Sequence, residues 1–180
     1  FCFNELAVKS KKLLSNRQEQ VSIQLLLPSG DFLSTRHTFP DLPKESLISA
    51  LRLQVEDTLP SLEKSVAIAF DSSKPDPDEE TIVLWHDQEK LDNLFSAFKQ
   101  QGLFLAAIKP RILAFEFEDL SGGVLERDEV NETLVIFDDG RLKAWKQVHK
   151  IDLDQQELGE QWKATLSEYQ TTPIYEVDNF

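Results

Sequence analysis

The chain reads as an α/β protein of mixed sheets flanked by helices, arranged in two lobes. Three observations predict this. Short apolar runs of strand length, such as Val66 to Phe70 and Leu103 to Ile108, alternate with longer stretches whose apolar residues recur every three or four positions. Glycine, proline and aspartate mark the changes of period. The order strand, strand, helix, strand occurs over 21–70 and again over 133–177, and a similar order recurs over 66–108, without sequence identity between the units. Such units pack as sheets backed by helices. A boundary expected between residues 110 and 130 divides the chain into a leading segment 1–20, a first lobe 21–115 and a second lobe 116–180.

The elements follow in order. Residues 1–20 begin apolar with Phe3, Leu6 and Val8 and turn basic at Lys9, Lys11 and Lys12, so a short leading helix or a flexible entry is expected. A secretory signal has the reverse order of charge and apolar run. Val21 to Leu27 alternates as a strand, Pro28-Ser29-Gly30-Asp31 turns it, and Phe32 to Thr38 returns. Asp41-Leu42-Pro43 opens a helix carrying Leu47, Leu51 and Val55 on one stripe, and Pro60 stops it. Val66 to Phe70 and Thr81 to Trp85 are strands, separated by a polar loop over 71–80. Asp87 caps a helix whose face is Leu91, Leu94, Phe95 and Phe98, with Gly102 ending it before the strand Leu103 to Ile108. Glu118 to Asn131 reads as a loop around Gly122-Gly123. Thr133 to Phe137 and Arg141 to Val148 form a hairpin about Asp138-Asp139-Gly140. Leu158, Trp162, Leu166 and Tyr169 mark a last helix, and Pro173 to Val177 a last strand.

Composition limits the function. With 41% hydrophobic and 28% charged residues the chain has the makeup of a folded domain, and its longest apolar runs are far shorter than the ~20 residues of a membrane helix. The net charge of −13, from 32 acidic and 19 basic residues, repels phosphate backbones and anionic lipid heads. Nucleic acid is therefore not an expected partner, whereas a basic protein surface would be steered in. A single cysteine, Cys2, excludes an internal disulfide framework and fits a reducing compartment. His37, His86 and His149 lie far apart, without metal-ligand spacing, and read as surface or edge-strand residues.

Several segments carry a resemblance. They are Leu25-Leu26-Leu27-Pro28-Ser29-Gly30, the helix Ala50 to Pro60 with Gln54, Glu56-Asp57 and Leu59-Pro60, Leu94 to Gly102, Ile108 to Ala114 with its Pro110-Arg111, and the hairpin Leu134 to Trp145. Through these, over residues 20 to 170, the chain resembles the cytoplasmic domain of the general secretion pathway (type II secretion) protein L and the type IV pilus assembly protein M. Both belong to the actin-like, ribonuclease-H-like superfamily. The resemblance implies an actin-like α/β fold and a place at the cytoplasmic face of the bacterial inner membrane. It also implies a scaffold role beside other inner-membrane platform proteins, holding the assembly ATPase, with a homodimer among the assemblies allowed.

Nucleotide-binding members of that superfamily hold ATP between two lobes with two phosphate loops, each an Asp followed by glycine or hydroxyl residues whose backbone N–H groups face the phosphates. No Asp-x-Gly-Thr strand end occurs early in this chain, where Gly30 sits in an ordinary Pro-Ser-Gly-Asp turn. One later candidate exists, Asp119, Ser121, Gly122 and Gly123. Glu116, Glu118 and Glu126 crowd it with negative charge, and a plain glycine turn is the competing reading. Asp138-Asp139 reads as a hairpin turn rather than a metal site, and the acids at 76–80 as a solvated loop. No serine sits in a nucleophile-elbow setting. The expectation is a protein that is not an enzyme and needs no cofactor or metal. The alternative is an ATP-binding protein of the pilus M type, with ATP and magnesium as its cofactors. Trp85, Trp145 and Trp162 are candidate partner contacts because tryptophan is enriched at binding hot spots, with core burial as the other reading.

Overall fold

The period changes in the sequence become secondary structure close to where they fall. The computed structural model describes residues 3–15, 21–39, 43–58, 65–70, 80–114, 121–171 and 174–177. Its order is α1 (Phe3–Leu14), β1 (Ser22–Leu27), β2 (Leu33–Thr38), α2 (Lys44–Thr58), β3 (Val66–Phe70), β4 (Glu80–Asp87), α3 (Gln88–Gln100), β5 (Phe104–Pro110), β6 (Gly122–Arg127), β7 (Asn131–Asp138), β8 (Arg141–His149), α4 (Gln155–Glu168) and β9 (Ile174–Val177). Single turns of 3-10 helix, Ser29–Asp31 and Arg111–Leu113, follow β1 and β5. This is the expected mixed α/β architecture. Among the described residues no helix is long and apolar enough to cross a membrane.

Strand alternation decides the layering. In β4, Ile82 and Leu84 face one way and Val83 and Trp85 the other, as a period of two requires. The first pair meets Val124, Val135, Phe137 and Trp145 of β6, β7 and β8. The second pair packs with Leu47 and Leu51 of α2. The opposite face of the later sheet, Leu125, Leu134, Ile136 and Val148, is covered by Leu158, Trp162 and Leu166 of α4. The layers therefore run α4, sheet β8-β7-β6-β9, sheet β2-β4-β3, α2. Within the sheets β6 runs parallel to β9 and antiparallel to β7, and β4 is antiparallel to both its neighbours. A separate parallel pair, β1 with β5, carries α1 and α3, where Ala7 and Phe98 are fully buried. The described part of the leading segment is thus a helix packed against α3 and β5. The expected lobe boundary at 115–116 falls outside the described residues, and a core cluster joins Phe32, Ile82, Leu84 and Ile112 before it to Val124, Val135 and Trp145 after it.

The helix and turn chemistry is local. Asp87 accepts from the backbone N–H groups of Glu89 and Lys90, and Asp154 with Glu157 forms a reciprocal capping box on α4. Asp139 and Gly140 both have positive φ (50° and 71°), the two-residue hairpin turn that matches strand twist.

Three expectations are corrected. The loop over 118–131 contains β6, a strand buried at five of its six positions and lying between β7 and β9; glycines there serve packing rather than a turn. Phe95 is 40% exposed and Ala97 takes its place on the buried face of α3, because α3 is covered along a narrower stripe than its apolar residues span. His86 is buried on the central strand β4, tilted against the Phe32 ring at 5.0 Å, rather than at a surface. The loop at 71–79, Pro60 and Cys2 lie outside the described residues.

Candidate functional site

Two parallel strands stop together. β1 and β5 are paired up to Leu27 opposite Pro110, and each then enters a 3-10 turn behind a proline, Pro28 and Pro110. Proline lacks the N–H that would continue a ladder and fixes φ near the value a turn needs. The two turns bring Ser29 and Arg111 onto a single carboxylate, that of Glu126 near the end of β6.

Glu126 is 1% exposed and Ser29 fully buried. Glu126 Oε1 accepts from Arg111 Nη2 at 2.7 Å, from Arg111 Nε at 3.1 Å and from the Ser29 backbone N–H at 3.2 Å. Its Oε2 accepts from Ser29 Oγ at 2.5 Å, and that hydroxyl in turn accepts from the backbone N–H of Ile112 at 3.2 Å. A guanidinium, a hydroxyl and a backbone N–H are the donors that would hold a bound anion. Here they hold an internal one.

The turn after β1 is closed from a second side. A Cβ placed on Gly30 would stand 2.8 Å from Asp128 Oδ2 and 3.0 Å from Asn131 Cβ, and closer still to Asn131 Nδ2. Asp128 and Asn131 form the turn between β6 and β7, where Asp128 Oδ1 accepts from the N–H groups of Val130 and Asn131 at 2.7 and 2.6 Å. Gln147 Nε2 donates to the Gly30 carbonyl at 2.7 Å. The turn that ends β1 and the turn that ends β6 are therefore in contact, with side chains filling the space between them. Sequence reading missed this cluster: Glu126 was counted among the acids crowding the glycine pair, and Ser29 was one residue of an ordinary turn. The available signal was an acid directly after the apolar run Gly123-Val124-Leu125, and two prolines ending two apolar strands.

The candidate phosphate loop has a different geometry from a loop. Asp119 lies outside the described residues. Ser121 is exposed at the start of β6, its Oγ accepting from Asp139 N–H at 2.9 Å. Gly122 and Gly123 pair with Phe137 and Ile136 in the sheet. A Cβ on Gly123 would stand 2.9 Å from Leu166 Cδ2, so α4 lies against this strand where a side chain would hold it off. The three tryptophans are buried, Trp85 at 0%, Trp145 at 5% and Trp162 at 4% exposure. Trp162 donates to Glu132 Oε2 at 2.8 Å and Trp85 to Thr35 Oγ1 at 2.6 Å, and Trp162 also lines a cleft beside α4. Among the described residues no three His, Cys, Asp or Glu side chains group closely enough to hold a metal ion.

The surface does offer an apolar groove of about 640 Å³ between α1, β1 and α3, lined by Phe3, Leu6, Leu25, Leu27 and Leu94 with Lys90 beside them. Its size and lining are those of a site that takes a small ligand or a few side chains of a peptide.

No family model matches the sequence, and no curated protein sequence matches it. Solved structures do. A chain of the PilM–PilN type IV pilus biogenesis complex superposes with a TM-score of 0.69 at 16% identity, over 98% of this chain and 68% of that one. The cytoplasmic domain of EpsL, an inner-membrane component of the type II secretion system of Vibrio cholerae, gives 0.60 at 16% identity, over 99% and 67%. A Bacteroides thetaiotaomicron protein with an actin-like ATPase fold gives 0.53 at 10% identity, over 96% and 66%. The chain therefore has the actin-like fold, matched along nearly its whole length by a protein of a pilus complex and by a domain of a secretion system.

Proposed function

We propose that this chain is a non-catalytic scaffold of a type II secretion or type IV pilus assembly platform. In this reading it sits at the cytoplasmic face of the inner membrane and works by binding the assembly ATPase and other platform proteins. The carrying observation is the closed node at Glu126. Actin-like nucleotide binders use strand-end turns to receive phosphates, and here the donors of the first such turn are engaged by a carboxylate of the chain itself. The close approach of Asp128 and Asn131 to Gly30 supports the same reading, since side chains occupy the space beside this turn. The apolar groove between α1, β1 and α3 supports binding as the mode of action, since it can take apolar side chains of a partner segment.

The pilus-type alternative, an ATP binder whose nucleotide state gates its partners, draws on the higher TM-score of the pilus complex. Calorimetry separates the two. Titration of the purified chain with millimolar ATP and magnesium is expected to give no binding heat, and a magnesium-dependent isotherm would overturn the scaffold reading in favour of the alternative. Co-purification tests the partner: the assembly ATPase of the same organism should be retained by the tagged chain with or without added nucleotide.

A further inference from the structure

A glycine sits in α4 where the packing of the described residues does not call for one. Gly159 lies in the first half of the helix Gln155–Glu168, where glycine is about 1 kcal/mol worse than alanine. Among the described residues, apart from its chain neighbours and the backbone of its own helix, no atom lies within 4 Å of the place its Cβ would take. The packing of the described residues therefore does not demand the small residue. Gly159 instead borders a cleft of about 620 Å³ with Leu153, Leu158 and Trp162 as apolar walls.

The cleft continues into exposed apolar side chains. The turn after β6 and the turn after β8 are tied by Lys150 N–H donating to the Val130 carbonyl at 2.8 Å. At their tips Val130 is 47% and Ile151 84% exposed. The charges nearby are predominantly acidic. Arg127 lines the cleft but is engaged by Glu132 at 3.1 Å and Glu176 at 2.8 Å, and the Lys150 ammonium donates to the Asp128 carbonyl. Glu129, Asp152, Asp154 and Glu157 are all exposed at this end of the sheet, on a chain whose net charge is −13.

We propose that this end of the sheet β8-β7-β6-β9, together with the cleft beside α4, docks a basic amphipathic helix of a partner protein. A glycine on the docking helix lets a second helix approach to the short end of the usual 8–10 Å interaxial range. A large apolar side chain of the partner enters over Gly159 against Trp162 and Leu158, Val130 and Ile151 cover its neighbours, and flanking lysines or arginines meet the acidic rim. A second copy of this chain carries the same acidic surface and is disfavoured there. The inference adds a surface to the scaffold reading without depending on it, because an ATP-binding protein could carry the same one.

The test uses two synthetic helical peptides of identical leucine pattern, one with lysine and one with glutamate at the polar positions, titrated into the intact chain and followed by amide and indole NMR. The lysine peptide is expected to shift the signals of Val130, Ile151, Gly159 and the Trp162 indole. Its affinity should fall about tenfold or more in Ile151→Ser and in Gly159→Leu, neither of which alters net charge. Gly159→Ala should melt higher than the natural chain, and thermal melts of the other two check that they fold. Equal affinity of the lysine peptide for the natural chain and both variants would reduce the effect to general electrostatics and overturn the proposal. Preference for the glutamate peptide, absence of binding by either, or self-association through the same amides would overturn it as well.

Discussion

Glu126 and Arg111 form an ion pair in which the Glu126 side chain is 1% exposed and the Arg111 side chain 20%, with Oε1 lying 2.7 Å from Nη2. Removing Glu126 takes this carboxylate from Arg111 and the acceptor from the buried Ser29, at a cost of about 3–5 kcal/mol. Glu126→Ala should therefore be among the most destabilising single changes in this chain. Glu126→Gln, which keeps an acceptor for Ser29, should cost less. The double variant Glu126→Leu with Arg111→Met should recover only part of the loss, since the charge pair is removed together while the buried Ser29 N–H and hydroxyl lose their acceptor. Urea denaturation measures all three, and a Glu126→Ala variant within about 1 kcal/mol of the natural chain would show that the node does not hold these turns together.

Two glycines should respond to alanine with opposite signs. At Gly30 the new methyl meets the side chains of Asn131 and Asp128, the latter at 2.8 Å, and the β6–β7 turn must give way. Overpacking of this kind costs about 1–3 kcal/mol. At Gly159 the methyl enters open space and helix propensity improves by about 1 kcal/mol. Thermal melts should place Gly30→Ala below and Gly159→Ala above the natural chain; the reverse order would contradict the packing described at both glycines.

The tryptophans divide by their N–H groups. Trp162 donates to the carboxylate of Glu132, a charged acceptor, and a hydrogen bond of that kind is worth about 1.5–3 kcal/mol. Trp145 Nε1 is buried and finds no hydrogen-bond partner among the described residues. Replacement by phenylalanine removes ring volume at both sites but breaks a bond only at Trp162. Trp162→Phe should thus be clearly more destabilising than Trp145→Phe in equilibrium unfolding, and equal losses would point to volume alone.

What could be read from the sequence was local. Leu47 and Leu51, or Leu158, Trp162 and Leu166, recur at helical spacing and are buried as that spacing requires. Asp139-Gly140 forms the turn its residue types favour. β6 was hidden because Gly122-Gly123 suppresses strand propensity, and its reason is α4, whose Leu166 arrives from more than forty positions away. The node at Glu126 was hidden for a similar cause. Ser29 is 97 residues from Glu126, and only the parallel pairing of β1 with β5 brings Ser29 and Arg111 to the same place. Propensity and period see neighbours in the chain; a lone buried acid is explained only by partners that the topology delivers.

His37 gives the fold a pH dependence whose sign follows from its surroundings. It lies on β2, stacked with Phe39 at 6.0 Å and edge-on to Trp85 at 6.2 Å. Burial there lowers its pKa below the ordinary 6.5. The hydrogen bonds agree: Trp85 Nε1 donates to Thr35 Oγ1 at 2.6 Å, which leaves the Thr35 hydroxyl proton for His37 Nε2 at 2.8 Å, an arrangement suited to a neutral imidazole. With the folded pKa depressed, the unfolded chain takes up the proton first as pH falls. The contribution is complete above pH 6.5 and is lost progressively below it, so stability rises with pH through this window. His37→Gln cannot titrate and retains a polar side chain beside Thr35. Urea midpoints of the natural chain and the variant, followed by tryptophan fluorescence between about pH 7.5 and 5.5, should diverge as the pH falls, with the natural chain losing more. The carboxylates common to both proteins cancel in that difference. Parallel midpoints across the window would mean that His37 is solvated well enough to protonate in the folded state.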